Sequence, residues 1–457
     1  MRVILHIGQH KTGSKALQSA LYANRDHLAA RRFAYPVAAA GAGPLRPYEM
    51  NHHALFAALR AAVDEREGPA AVAALRALLA DLLAACPAGT ETMILSAEDL
   101  FDMHTAHEAA FVPERVAAGA RLLARELAAR GCRPRLVCYL RRQDHLLAAH
   151  YAQFIKGSAT HQLEFAEFHT LAADRLDADL SLARWEETFG REATTVAAYE
   201  PEEMPGGIVA DFFRRALDLG PPPVTVPFPD DLEAFNVTPS RDHLDYMRLL
   251  NGRARRGRPV LAREQVLESA FRDRDVPAAG IAAWRSPAER VTLLARYEPG
   301  NRRIAARHGL AGPLFREPAP RDDGSWTPSP PLTLERLVEL DTQARAAGAE
   351  RAAVTGRRRG RAGLILWVVS PHAAAVDEAA ACELLAAVVG CPGLESRCVR
   401  SVRCGTALAS MGRVAFLVFV GPPAGGWSAT LARWAVALGG GRVVRVPGPK
   451  PQRLLAV

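Results

Sequence analysis

The thirteen residues from His6 to Gln18, "HIGQHKTGSKALQ", put two glycines, two lysines and two hydroxyl residues between an apolar run and an amphipathic one. A strand that stops in a glycine turn and feeds a helix aims several backbone N–H groups at one point, where the helix dipole adds partial positive charge. Such a point holds an anion. Gly8 and Gly13 allow the tight path, Thr12 and Ser14 offer hydroxyl donors, and Lys11 and Lys15 add compact charge. A second basic point follows at Arg141 and Arg142, where a guanidinium can grip a phosphate with two parallel hydrogen bonds and Asp144 can cap the helix behind it. Two anion sites at neighbouring strand ends suit a nucleotide carrying two separated anionic groups. Proton acceptors are available in Glu98 of "MILSAEDLF" and in His52 and His53 of "YEMNHHALF". Ser96 with Asp99 three residues on also reads as a capping box, in which case Glu98 only favours a helix start.

The elements that must position these groups alternate. "RVILHIG", "TMILSAED" and "PRLVCYLRR" read as buried strands, and "KALQSALYANRDHLAARR", "HALFAALRAAV", "AAVAALRALLADLLAAC" and "ERVAAGARLLARELAARG" read as helices, the last closed by Gly131. Short apolar strands separated by long helices predict an α/β fold, a parallel sheet flanked by helices, with ligands beyond the carboxyl ends of the strands. After about residue 200 the pattern turns mainly helical, with "SRDHLDYMRLLNG" and "PAERVTLLARYEPGNRRIAARHG" the clearest pieces. "FREPAPRDDGSWTPSPP" then breaks the periodicity as a linker, followed by the helix "LTLERLVELDTQARAAGAERAA" and the basic loop "GRRRGRAG". From Gly363 a small α/β module is expected, with strands "GLILWVVS", "GRVAFLVFVGPP" and "RVVRVPG" and helices "VDEAAACELLAAVVG" and "WSATLARWAVALGG". The expected division is 1–318, 319–362 and 363–457, the last separable.

With 457 residues, 49% hydrophobic and 23% charged, the chain has the composition of an ordinary globular protein. It has no uninterrupted apolar stretch long enough to span a membrane and no secretory signal pattern at its start, so a cytoplasmic location is expected. Seven cysteines make an odd number, which argues for reduced thiols over a disulfide framework. Cys382, Cys391, Cys398 and Cys404 cluster without a C-x-x-C pair and are expected as buried thiols rather than a zinc site. From Arg345 onward 15 basic residues stand against 5 acidic ones, out of 57 and 49 in all, so the net +8 resides in the last quarter. No nucleic-acid partner is expected; the first 344 residues are near −2, so any general attraction to polyanions would lie in the last quarter.

The spacing G-x-x-x-x-G-S-K resembles the nucleotide-triphosphate P-loop with its last two residues exchanged, so the hydroxyl follows the second glycine and a lysine stands inside the loop. More closely, "HIGQHKTGSKALQ" resembles the 5′-phosphosulfate-binding loop of sulfotransferases that use 3′-phosphoadenosine 5′-phosphosulfate (PAPS). "LVCYLRRQDHLLAAHYAQFIKG" resembles their 3′-phosphate-binding segment, and "YEPGNRRIAARHG" the closing helix of many bacterial members. The resemblance covers roughly residues 1 to 318. It implies a sulfotransferase-like fold and transfer of a sulfuryl group from PAPS to a hydroxyl or amine of a small-molecule or carbohydrate acceptor, without metal. It implies donor binding by Gly8, Lys11, Thr12, Gly13, Ser14, Lys15 and Arg141. It also implies a catalytic role for Lys11 and a base at the end of the second strand, which favours Glu98 over His53. Two positions depart from the pattern: Ala149 stands where the family has a serine, with His150 or Lys156 as substitutes, and Lys15 replaces a hydroxyl. The acceptor pocket is expected among the helices after residue 150, with Tyr151, Phe154, His161 and Trp185 as candidate lining residues, although each reads first as a core residue. The competing readings are a P-loop kinase or NTPase, which needs a lysine directly after Gly13, and a non-catalytic nucleotide-binding scaffold.

Overall fold

The computed structural model describes residues 1–37, 50–64, 68–105, 108–158, 161–224, 238–255, 261–273, 278–330 and 332–354, together with the backbone of four later strands. The described residues fall into two compact units, one drawn from Met1–Phe154, Glu164–Phe228 and Gly280–Thr327, the other from Ile155–Leu163, Pro229–Ala279 and Pro328–Val457. Among the described residues no helix is long and apolar enough to cross a membrane.

The first unit is an α/β layer structure. Its elements run β1 (Arg2–His6), α1 (Ser14–Ala23), α2 (Arg25–Ala29), β2 (Phe33–Ala34), α3 (His53–Val63), α4 (Gly68–Ala84), β3 (Thr92–Ser96), α5 (Pro113–Ala128), β4 (Arg133–Leu140), α6 (Gln143–Gly157), α7 (Phe165–Ala172), α8 (Ala178–Phe189), β5 (Thr194–Ala198) and α9 (Gly207–Leu217), with a long helix Pro287–Arg307 near its end. All five strands are parallel, in the order β2-β3-β1-β4-β5. Both faces are covered. Val3, Leu5, Ile7, Leu95, Leu136 and Cys138 join Leu59, Leu75, Leu123 and Trp185 of α3, α4, α5 and α8 in one core. The intervening Ile4, Ile94, Val137 and Tyr139 join Leu17, Leu21, Ile208 and Phe212 of α1 and α9 in the other. The period-2 alternation of a strand therefore feeds two apolar layers, which is why these strands read as continuous hydrophobic runs. Each fully buried Leu or Ile contributes roughly 1.5–3 kcal/mol.

The chain moves from β1 to one side through β2 and β3, then returns across β1 to β4 and β5. The strand order thus reverses beside β1, where open α/β sheets bind ligands beyond their carboxyl ends. The residues that follow β1, β3, β4 and β5 share that edge: Ile7–Gly13, Ala97–Asp99, Arg141 and Tyr199.

Two strands of this sheet were not legible in the sequence. β5, "TTVAA", is short and rich in alanine, and β2 has two residues. The helix expected from Lys15 to Arg32 divides at Asn24, whose side-chain amide donates to the Ala20 carbonyl at 2.8 Å and ends α1. Trp185 and Tyr151 are core residues, the reading that their types favoured over a place in an acceptor pocket. Trp185 is fully buried and donates to the Phe101 carbonyl at 3.0 Å, and Tyr151 packs against Phe165, Phe168 and Trp284. The proline-rich stretch is tied down at Trp326, whose indole donates to the Ala282 carbonyl at 2.8 Å.

In the second unit the helices Arg241–Arg255, Arg263–Arg272 and Leu334–Val354 accompany a parallel sheet of β6 (Gly363–Val369), β7 (Leu394–Val399), β8 (Val414–Val420) and β9 (Arg442–Val446), in the order β7-β6-β8-β9. The buried Asp341 carboxylate accepts from Tyr246 Oη at 2.9 Å and Arg345 Nε at 2.7 Å. β7, "LESRCV", carries too many polar residues to read as a strand. The two helices expected in this module, the basic loop and the cysteine cluster other than Cys398 lie outside the described residues.

Candidate functional site

The turn after β1 is held by its own side chains. Thr12 Oγ1 donates to the Gln9 carbonyl at 2.6 Å, and Gln9 Oε1 accepts the Arg141 backbone N–H at 2.9 Å, which fastens the loop to the end of β4. Gly13 precedes α1 with φ 79°, a left-handed conformation that glycine adopts without strain. Gly8 is required for a different reason: a Cβ there would stand 2.6 Å from His6 Nε2. His6 cannot easily yield, because it is fully buried, bonded through Nδ1 to Ser96 Oγ at 2.8 Å, and packed edge-on against Tyr139 and Phe212. Burial pushes its pKa down to about 3, so the ring is neutral. Gly8→Ala should therefore destabilise the fold by about 1–3 kcal/mol, the usual cost of overpacking, read by chemical denaturation. A loss below about 0.5 kcal/mol would mean that the His6 ring has room to move.

Ser14 opens α1, and its buried hydroxyl has no hydrogen-bond partner. The first intrahelical bond runs from Leu17 N–H to the Gly13 carbonyl, so the preceding N–H groups meet no earlier turn. Lys11 sits inside this loop at φ 66°, a conformation costly for a residue with a Cβ, and such strain concentrates at functional sites. Its carbonyl accepts from Arg141 Nη1 at 2.8 Å, and its ammonium donates to Gln153 Oε1 at 3.4 Å. Burial, reinforced by the charges of Lys15 and Arg141 and opposed by Glu98, lowers the Lys11 pKa to about 8. Lys15 is exposed on the first turn of α1. Arg141 lies 5.9 Å from the Tyr199 ring centroid, and the same ring flanks Gly13. Ala149 is buried within α6, one turn before Gln153, and offers a methyl group where a hydroxyl was sought.

Arg142 and Asp144 are structural. The Arg142 guanidinium pairs with Asp144 at 2.9 Å and Glu317 at 2.6 Å, and Arg290 pairs with Asp144 at 2.8 Å, so that carboxylate holds two arginines while its Oδ1 also accepts the His145 backbone N–H at 2.8 Å in the first turn of α6. Ser96 does not form the expected capping box: its hydroxyl meets His6 and the Gln18 amide, the latter at 3.2 Å. His52 is a pin between segments, accepting the Ser96 N–H at Nδ1 (3.0 Å) and bonding the Pro36 carbonyl through Nε2 (2.6 Å). Its pKa falls to about 4, chiefly through burial.

Glu98 and His53 converge at the end of β3. Glu98 Oε2 accepts from Gln18 Nε2 at 2.7 Å, and its charge acts on both Lys11 and His53. His53 starts α3, is half exposed, and bonds through Nδ1 to Asp99 Oδ2 at 2.8 Å. That hydrogen bond raises the His53 pKa above the ordinary 6.5. Behind the pair lies a buried polar cluster. Asp99 Oδ1 is 3.6 Å from His10 Nε2, which also meets the His104 carbonyl at 3.0 Å, while Arg175 Nε pairs with Asp102 at 2.5 Å. The His150 ring stands 5.6 Å from that of His10, with both nitrogens buried and unpartnered. Gln9, Gln18, Gln153 and Asp99 escaped sequence reasoning as site residues, because each acts across a separation that only the sheet topology closes.

No family model matches the chain, and no curated protein matches it. Among solved structures, the crystal structure of a sulfotransferase from Alicyclobacillus acidocaldarius aligns with 71% of this chain and 97% of that one, at 12% identity and a TM-score of 0.31. At that score it adds no argument to the geometry.

Proposed function

We propose that the protein transfers a sulfuryl group from PAPS to a hydroxyl or amine of a small-molecule or carbohydrate acceptor. The observation that carries this reading is the coupling of Lys11 to Arg141: a lysine inside the β1–α1 turn whose carbonyl is gripped by the arginine ending the neighbouring strand. The residues fit such a donor. The N–H groups opening α1 and the unpartnered Ser14 hydroxyl suit a 5′-phosphate, and Lys11 suits the bridging oxygen where negative charge grows as the nucleotide departs. Arg141 suits a second anionic group, and the Tyr199 ring beside it offers a face for stacking. The position that a kinase loop gives to lysine holds the buried Ser14 instead.

Calorimetry tests the reading. Adenosine 3′,5′-bisphosphate is expected to bind without magnesium and more tightly than ATP with magnesium, and labelled PAPS to pass its sulfur to a screened acceptor. Arg141→Ala should weaken bisphosphate binding by roughly 1.5–3 kcal/mol, the range for hydrogen bonds to charged groups. Unchanged affinity in that variant would remove the second anion site. Preferential binding of magnesium ATP would replace the reading with phosphoryl transfer, and binding without turnover on any acceptor would leave a nucleotide-binding scaffold.

A further inference from the structure

We infer that Asp99 is the positioning residue of a His53–Asp99 dyad, its carboxylate holding the Nδ1–H of His53 so that Nε2 receives the acceptor proton. The inference rests on the functional reading above and goes past it by assigning the base and the group that orients it.

A neutral imidazole has one N–H and one lone pair, and the partner of the first decides where the second lies. The hydrogen bond from His53 Nδ1 to Asp99 Oδ2 at 2.8 Å puts the proton on Nδ1 and leaves the lone pair on Nε2. Among the described residues His53 Nε2 has no protein partner, and the side chain is half exposed, so a substrate can reach it. Asp99 is the opposite kind of group. It is buried, with His10 Nε2 3.6 Å from its Oδ1, beside a cluster that holds the Arg175–Asp102 pair. The Phe56 ring, 5.4 Å from that of His53, supports the imidazole from the next turn of α3. Glu98, the other carboxylate at this strand end, already accepts from Gln18. Its charge favours a protonated His53 and steadies the imidazolium formed during transfer.

The step balances. His53 Nε2 takes the acceptor proton while an electron pair of the acceptor oxygen or nitrogen forms the new bond to sulfur. The pair of the broken sulfur–oxygen bond leaves on the 5′-phosphate beside Lys11.

The groups facing His53 are Asp99 and Glu98, with His10 and Arg175 acting on Asp99. Removing the Asp99 charge should lower the His53 pKa toward or below 6.5, because the burial cost then stands with less opposition. The test combines NMR titration of His53 with pH–rate profiles of wild type, Asp99→Asn, His53→Gln and the double variant. In Asp99→Asn the His53 midpoint and the acidic limb of the profile should move down together, and kcat should fall by at least about 10–100-fold, the loss seen when the carboxylate partner of a metal-ligating imidazole is removed. In the His53→Gln background the same substitution should cost nothing more, since residues acting as one unit are not additive. A purely structural Asp99 would give multiplying losses. An unmoved His53 midpoint, or losses that multiply, would overturn this inference while bisphosphate binding and transfer by the wild type left the functional reading intact. Absence of both binding and transfer in the wild type would overturn that reading and this inference with it.

Discussion

Lys11→Ala is expected to slow sulfuryl transfer by about 10²–10³-fold, the cost of removing one preorganised electrostatic group, while bisphosphate affinity changes far less. The asymmetry follows from position. In the proposed reading the backbone N–H groups and Ser14 would hold the 5′-phosphate, and the substitution leaves them in place, whereas charge on the bridging oxygen would appear only as the bond breaks. Backbone strain does not confuse the result, because alanine at φ 66° carries the same Cβ penalty as lysine. Lys11→Gly relieves that penalty and should be equally slow. Stability should not fall either. The folded pKa of about 8 lies below the unfolded 10.5, so the charged ammonium opposes folding below pH 8, and its removal relieves that cost at neutral pH. The same shift predicts a pH limb. The lysine must be protonated to act, so kcat/KM, which reports the free enzyme, should decline above about pH 8. Lys11→Arg should remove the decline. Turnover of Lys11→Ala within a few-fold of wild type would end the assignment.

The sheet and the glycine turn after β1 were legible because local signals agreed with the global fold. β1, β3 and β4 are apolar on both faces, α5 opens at Pro113 and is followed by Gly131 in a left-handed conformation, and the glycine spacing marks the turn. The reason for one glycine was not legible. Gly8 looks like a turn residue, yet its neighbour His6 excludes a Cβ. The long-range partners were hidden for a related reason. Gln18 reads as an ordinary helix residue, and only the pairing of β1 with β3 brings its amide to Glu98, eighty positions away. The adjacent histidines show the limit most clearly. His52 and His53 are identical in sequence terms, but the helix start between them turns one ring inward to Ser96 and Pro36 and the other outward to Asp99. A β5 of alanine and threonine gives no contrast with a loop until β4 pairs with it.

His53→Asn should lower kcat by about 10²–10⁴-fold, the range for loss of general acid–base catalysis, and Glu98→Gln by much less. The two residues share one strand end and one electrostatic field, but their partners differ. Glu98 Oε2 is occupied by the Gln18 amide, so a proton arriving there would disrupt an existing bond. His53 keeps Nε2 open and has its other nitrogen committed. The pH dependence separates them further. A base must be deprotonated to act, so with His53 the rate climbs through a pKa raised above 6.5 and, together with the Lys11 limb near 8, gives a narrow bell. A rate with no rise through a pKa above 6.5 would exclude His53 as that base. Glu98→Gln removes a negative neighbour from both groups at once, which lowers both pKa values and should slide the bell to lower pH without flattening it. His53→Asn should abolish the acidic limb and leave bisphosphate affinity within a few-fold, because Ser14, Lys11 and Arg141 are untouched. An inactive Glu98→Gln beside an active His53→Asn would transfer the base to Glu98 and leave His53 as a surface residue tethered by Asp99.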